Sequence, residues 1–301
     1  MERDNILKYD LSRVETPCFI VDTSLIERNL KVLASVKERT GCKVLLAQKA
    51  FSMWSLYPLI ARYLDGSCAS SPWEARLARE HLGREVHVFA AGYSQKDIDE
   101  IVRYADHIVF NSFAQLERFR GTIEKSGREI EQALGIDPED AEGSHASDDR
   151  WREVWRLGIT RANFKGDSLD GIKGLHFHTL CQQNVQPLER TIKAVEEKFR
   201  EFISRMEYVN FGGGHHITRD DYEIDRLCEL ITDFKKRWGV EVYLEPGEAV
   251  ALNTGYLAAT VLDVIDNGMK IAILDASAAA HMPDVIEMPY RPFIIGSGEA
   301  N

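Results

Sequence analysis

The sequence predicts an α/β fold: a (β/α)8 barrel of the TIM type, with an incomplete, mainly antiparallel β domain. Two observations carry this. From residue 43 to residue 247, β-rich apolar runs alternate with amphipathic stretches, which implies parallel strands and crossover helices. After residue 248 the pattern changes to closely spaced strands around "DNG" (266–268), a hairpin signal. Eight strand units over this length suit a closed barrel, and a doubly wound open sheet is the alternative. The expected division is a barrel over 18–247, with 1–17 and 248–301 forming the partial β domain.

The elements follow in order. "KVLLAQ" (43–48) reads as a buried strand and "SMWSLYPLIARYL" (52–64) as a helix. "GSCASS" (66–71) is a weak strand. "PWEARLAREHLG" (72–83) is a helix with Pro in its first turn and Gly at its end. "EVHVFAA" (85–91) is a strand, and "SQKDIDEIVRYA" (94–105) a helix with Ser94 as N-cap. "HIVFNS" (107–112) leads into the helix "FAQLERFRGTIEKSG" (113–127). The signal weakens at "IEQALGI" (130–136), the fifth strand, and 137–151 reads as a polar loop. "GIKGLHFHTL" (171–180), "EYVNFGGG" (207–214) and "EVYLEPG" (241–247) are the last three barrel strands. Between them lie helices over 186–206 and 221–239. "ETPCFIVD" (15–22) is strand-like and fits either part.

Composition narrows the function. Five widely spaced cysteines with no C-x-x-C fit a reducing compartment and argue against a thiolate metal site. The net charge of −11, with no dense basic run, makes nucleic acid an unsuitable partner. The apolar runs are too short to span a bilayer, and "MERDNILKYD" is no signal peptide, so a cytoplasmic protein is expected.

Chemistry in such a barrel sits at the C-terminal ends of the strands. Lys49 ends the first strand, in "LLAQKAF", and an apolar setting leads one to expect it buried. His176 and His178 end the sixth, Gly212, Gly213 and Gly214 the seventh, and Glu245 the eighth. Each has a bland reading: a snorkelling lysine, core histidines, a tight turn, a capping carboxylate. On one rim they make a stronger set. Pyridoxal phosphate needs a lysine for its aldehyde, an anion nest for its phosphate, a flat contact for its ring and an acid at its pyridine nitrogen. These residues supply all four, and no metal is required.

The stretches "LLAQKAF", "GLHFHTLCQQN", "VNFGGGHHITRDDY", "VYLEPGEAVALNTG" and "HMPDVIEMPYRP" resemble the carboxynorspermidine decarboxylases, which also accept carboxyspermidine. These are pyridoxal-phosphate decarboxylases of the alanine-racemase-like fold, related to ornithine and diaminopimelate decarboxylases. The resemblance runs over most of residues 15–298. It implies that Lys49 carries the cofactor, His178 stacks on its ring, Gly212, Gly213 and Gly214 receive its phosphate, and Glu245 faces its ring nitrogen. It also implies that Glu248 and Asp284 hold the cationic end of a polyamine substrate, with Asn184 lining the pocket. Many basic-amino-acid decarboxylases of this fold carry arginine at the position of Glu248; an acid there suits a chain of ammonium groups.

The resemblance further implies a homodimer with shared active sites. Family members continue past residue 301 and complete the β domain, adding a cysteine and an aspartate to the partner's site. Rival expectations are a diaminopimelate or ornithine decarboxylase, a pyridoxal-phosphate-binding protein without turnover, and a metal-dependent barrel hydrolase using His176 and His178.

Overall fold

The structure, a computed structural model, describes residues 10–140, 156–165, 169–287 and 290–297. Its strands, in chain order, are β1 Cys18–Val21, β2 Lys43–Ala47, β3 Gly66–Ala69, β4 Glu85–Phe89, β5 His107–Phe110, β6 Glu131–Asp137, β7 Ile159–Thr160, β8 Ile172–His176, β9 Tyr208–Asn210, β10 Glu241–Leu244, β11 Gly255–Ala258, β12 Val261–Asp266 and β13 Lys270–Leu274. The chain divides into two compact units: Ile26–Leu252, and Met1–Leu25 together with Asn253–Asn301.

The first unit is a closed barrel. Its strand order is β5-β4-β3-β2-β10-β9-β8-β6, every pair is parallel, and pairing of β5 with β6 closes the ring. The open-sheet alternative is thereby removed, and the weak "IEQALGI" signal is a true strand. Val44, Leu45 and Leu46 of β2 have no exposure. A strand covered on both faces, by barrel interior and by helices, needs this continuous apolar run instead of alternation. Leu45, Val109, Ala133, Tyr208 and Tyr243 form one cluster of buried side chains, with Phe89 packed against it.

The helices are α1 Thr23–Thr40, α2 Tyr57–Ile60, α3 Pro72–Leu77, α4 Gln95–Ile101, α5 Phe113–Lys125, α6 Val185–Ile203, α7 Ile224–Trp238 and α8 Glu248–Ala251, followed by α9 Ala278–His281 and α10 Asp284–Glu287. Three successive strand-to-helix turns end in serine. The hydroxyls of Ser71, Ser94 and Ser112 accept from the backbone N–H of Glu74, Asp97 and Gln115. Each satisfies a donor that the first helical turn leaves unpaired. At Ser94 the Asp97 carboxylate returns the bond, completing a capping box. Glycines close two segments in the left-handed conformation: Gly83 (φ 69°) after a π-turn over Ala78–Leu82, and Gly239 (φ 69°) after α7.

The helix expected over 52–64 is much shorter. It is one 3-10 turn, Trp54–Leu56, and one α-helical turn, Tyr57–Ile60. The N–H groups of Arg62 and Tyr63 bond to carbonyls three residues back, Leu59 and Ile60, which tightens the end into turns before β3 begins. The polar stretch expected at 137–151 lies outside the described residues from 141 onward.

The first residues of β2, β4 and β6 bring a polar cluster together with the histidines of β4 and β5. Lys43 Nζ lies 2.6 Å from Glu85 Oε1, and His87 Nε2 lies 3.2 Å from Glu85 Oε2. The rings of His87 and His107 stack with centroids 3.8 Å apart.

In the second unit β1 pairs antiparallel with β11, which places "ETPCFIVD" here. β12 and β13 form an antiparallel hairpin with Asp266 opposite Lys270. Gly268 (φ 81°) makes the turn, as "DNG" predicts. Among the described residues, no helix is long and apolar enough to cross a membrane.

Candidate active site

The four sequence features converge because their strands are neighbours. β2, β10, β9 and β8 are consecutive in the barrel. Their C-terminal ends therefore present Lys49, Glu245, the three glycines and the histidines side by side.

Glu245, just beyond β10, is the buried centre. It is 5% exposed. Asn210 Nδ2, at the end of β9, donates to its Oε1 at 2.8 Å. His176 Nε2, the last residue of β8, lies 3.2 Å from its Oε2. Burial alone raises a carboxyl pKa, but His176, by charge and hydrogen bond, and His178 and His87 behind it outweigh that and hold Glu245 at about 2. The His176 ring also packs on Phe89, centroids 4.5 Å apart. His176 meets Glu245 inside the barrel, and His178 lies two residues beyond the end of β8.

The glycine turn has a different logic from the one expected. A Cβ on Gly212 would sit 2.3 Å from Phe177 O, one on Gly213 2.3 Å from Glu245 O, and one on Gly214 2.0 Å from Leu180 O. The glycines are required because this turn lies directly on the backbone of the neighbouring strand ends. Two of the three N–H groups expected to face an anion are already engaged. Gly212 N–H donates to Asn210 Oδ1 at 2.8 Å, and Gly213 N–H to His178 Nδ1 at 3.0 Å. Of the three, only the Gly214 N–H has no acceptor among the described residues.

On the other side of the His178 ring, Nε2 lies 3.2 Å from Lys49 Nζ, so each ring nitrogen faces a donor. Burial first, and the Lys49 charge second, push His178 down to about 3, so the ring is neutral. Lys49 itself is exposed, in a turn two residues beyond β2. This corrects the expectation of a buried lysine: the apolar run ends at Ala47, and the turn lifts the side chain onto the rim.

Glu248 opens α8 and is exposed. Gln182 Nε2 donates to Oε2 at 3.1 Å and reaches Oε1 at 3.4 Å, and His216 Nε2 lies 3.0 Å from Oε2. His216, packed against Oε2, lowers the pKa of Glu248. Asn184 is otherwise occupied. It caps α6, its Oδ1 accepting from Val185 N–H and Glu223 N–H and its Nδ2 donating to Asp221 O. Asp284 begins α10 in the second unit, where Tyr290 Oη donates to its Oδ2.

Sequence reasoning missed Asn210, Gln182 and His216. Asn210 and His216 flank the glycines in "VNFGGGHH", and Gln182 follows "HTLC", but an amide or imidazole near a turn carries no signal of which carboxylate it will meet. It also missed a trio in the first unit: one ligand atom each of Glu85, His87 and His107 lie within 4.8 Å of one another. The two imidazoles are stacked at 15°, so their lone pairs do not converge on one point.

No protein-family model matches the chain. It is 40% identical over 288 residues to a carboxynorspermidine/carboxyspermidine decarboxylase of Campylobacter jejuni, covering 95% of this chain and 74% of that protein. It is 37% identical over 292 residues to a carboxyaminopropylagmatine decarboxylase of Synechocystis, again 95% of this chain and 74% of the other. A crystal structure of the C. jejuni carboxynorspermidine decarboxylase with norspermidine superimposes with a TM-score of 0.84 at 41% identity, over 92% of this chain and 72% of that one. The match extends through barrel and strand ends alike, and the chain belongs to the carboxynorspermidine/carboxyspermidine decarboxylases, a family of carboxy-lyases.

Proposed function

We propose that this chain removes the carboxylate of carboxynorspermidine or carboxyspermidine, with pyridoxal phosphate as cofactor, to give norspermidine or spermidine. The observation that carries the reading is the cluster of Lys49, His178 and Glu245 at the ends of strands within the consecutive run β2-β10-β9-β8, in a chain 40% identical to an enzyme named for this reaction.

The donor set suits the cofactor. Lys49, exposed beside a neutral imidazole, would hold the aldehyde, and His178 would lie against the ring. Glu245, kept anionic by His176 and fixed by Asn210, would face the ring nitrogen. Gly214, whose N–H has no acceptor among the described residues, is the member of the glycine turn left for the phosphate. When bound, pyridoxal phosphate supplies an electron sink for the electrons released with CO2. The protein's own part is positional and electrostatic. Asn210 and His176 fix Glu245, Gly213 fixes His178, and Glu248 offers a carboxylate to the cationic chain of the substrate. Asp284 is proposed for the same cationic chain and Asn184 for the pocket wall. A homodimer with shared sites, in the cytoplasm, completes the proposal.

The Synechocystis relative is named for a guanidinium-ended substrate, so carboxyaminopropylagmatine is the second reading. Assaying CO2 release from carboxynorspermidine, carboxyspermidine, carboxyaminopropylagmatine and diaminopimelate, with pyridoxal phosphate added, separates them. Release from diaminopimelate alone overturns the proposal.

A further inference from the structure

Three loops converge on one carboxylate. Glu248 follows β10, Gln182 follows β8 and His216 follows β9. The latter two loops are stitched to each other. Gln183 N–H donates to Gly214 O at 2.9 Å, His216 N–H donates to Gln183 O at 3.1 Å, and Gln183 and His215 form a parallel bridge. Thr218 Oγ1 donates to Ala249 O at 2.6 Å, which ties the third loop to this pair. The three side chains are thus set by a shared backbone frame.

Gln182 is held in an unusual state. It is one of three non-glycine residues described with positive φ, at 55°. That conformation disfavours a side chain by about 1–2 kcal/mol. Such a conformation persists where the surroundings fix it, and such residues cluster at functional sites. Here it accompanies an amide that reaches both oxygens of Glu248. The two oxygens are not equivalent. Oε2 has the Gln182 hydrogen bond at 3.1 Å and the His216 ring nitrogen at 3.0 Å, a close charge contact without hydrogen-bond alignment, whereas Oε1 has only the long 3.4 Å contact. A carboxylate oxygen can accept two hydrogen bonds, so Oε1 keeps its capacity for an incoming donor. His216 is 7% exposed and cannot leave easily.

We infer that Gln182 and His216 are positioning residues for substrate selection: they clamp Oε2 of Glu248 and leave Oε1 as the acceptor for an ammonium of the polyamine chain. This rests on the polyamine-decarboxylase reading above. The clamp sets orientation, not charge, so its loss weakens the hold on the cationic chain and leaves the chemistry at Lys49 in place.

The test is norspermidine binding by calorimetry to the cofactor-loaded chain, beside CO2 release from carboxynorspermidine in the same preparation. Gln182→Gly removes the amide and relieves the positive φ, so it keeps the fold. His216→Gln keeps a donor, and His216→Ala removes it. The expected result is norspermidine affinity weakened about tenfold in Gln182→Gly and His216→Ala and partly restored in His216→Gln. KM for carboxynorspermidine rises in parallel, and kcat changes less than twofold. Wild-type affinity in both Gln182→Gly and His216→Ala, with CO2 release intact, overturns the clamp and leaves the decarboxylase reading standing. A fall in kcat at unchanged KM also overturns it. A wild-type chain that neither binds norspermidine nor releases CO2 overturns both.

Discussion

Glu245 Oε2 lies 3.2 Å from His176 Nε2, and the two residues are 5% and 1% exposed. A carboxyl group sealed in an apolar barrel without partners turns neutral. Here the His176 imidazole, by charge and hydrogen bond, reverses that outcome, and the group is held at about 2 while the Asn210 amide fixes its other oxygen. A full negative charge is thereby kept at the end of β10, dry and immobile. Such a charge is suited to stabilising a protonated nitrogen through a reaction.

Glu245→Gln tests that role, because it preserves shape and removes charge. The expected result is a fall in kcat of about 100-fold, the size typical of losing one preorganised electrostatic partner, with cofactor still bound. Asn210→Ala leaves the charge and loosens one oxygen, so its effect is smaller, about tenfold. CO2 release at saturating cofactor measures both. A Glu245→Gln enzyme with wild-type kcat shows that the charge is not used.

Two glycines with positive φ should respond very differently to alanine. At Gly83 (φ 69°) a Cβ meets nothing within 4 Å, so Gly83→Ala carries only the left-handed backbone penalty, about 1–2 kcal/mol. At Gly214 (φ 85°) the Cβ lands 2.0 Å from Leu180 O, a backbone atom that cannot step aside. Gly214→Ala should destabilise by at least about 3 kcal/mol, adding overpacking to strain. Urea unfolding of the two variants gives the comparison, and equal losses refute the packing argument.

Much of this architecture is legible from residue order. Continuous apolar runs such as "KVLLAQ" announce strands covered on both faces, and "DNG" announces its hairpin. The site is legible as a set of positions because strand ends define a rim in any such barrel. Its wiring is not. "GGG" suggests an anion nest, yet two of its N–H groups serve Asn210 and His178, which only the fold brings near. The apolar flank of Lys49 suggests burial, but a tight turn after Ala47 reverses it. His176 and His178 look alike two residues apart, and the end of β8 falls between them. These outcomes depend on where the strands stop, to within one or two residues, which local sequence does not determine.

Stability should fall as acid is added, in two stages. His107 is pushed down to about 3, by burial first and then by the charge of His87, with Glu85 favouring and Lys43 disfavouring its proton. His215 is pushed down to about 4, chiefly by burial. The unfolded chain takes up these protons near 6.5 and the folded chain does not, so stability is full above that pH and erodes as pH falls from 6.5 toward 4 and 3. Glu245, depressed from 4.5 to about 2, adds a loss of the same sign between those values. Each histidine contributes at most about 1.4 kcal/mol per pH unit. Urea midpoints should be flat above pH 7 and drop below 6.5. His107→Gln should flatten that slope, and an unchanged slope would falsify the assignment.

Lys49 and His178 should separate cleanly in their effects. Lys49→Ala removes the amine proposed to hold the cofactor's aldehyde, and activity should fall roughly 10⁴-fold, as when a covalent group is lost. Lys49→Arg should be as severe, since a guanidinium keeps the charge but is no nucleophile. His178→Gln removes a flat ring and keeps a polar tip, so it should weaken cofactor affinity about tenfold and leave the lysine competent. The readout is the visible absorbance of chain plus pyridoxal phosphate, followed by borohydride reduction and peptide mapping. The label should fall on Lys49 in the wild type and in His178→Gln, and be absent from Lys49→Ala. Exposure makes this a demanding test, because Lys49 shares the surface with many other lysines that would be labelled equally by chance. Label spread over those lysines, unchanged in Lys49→Ala, removes Lys49 from the mechanism.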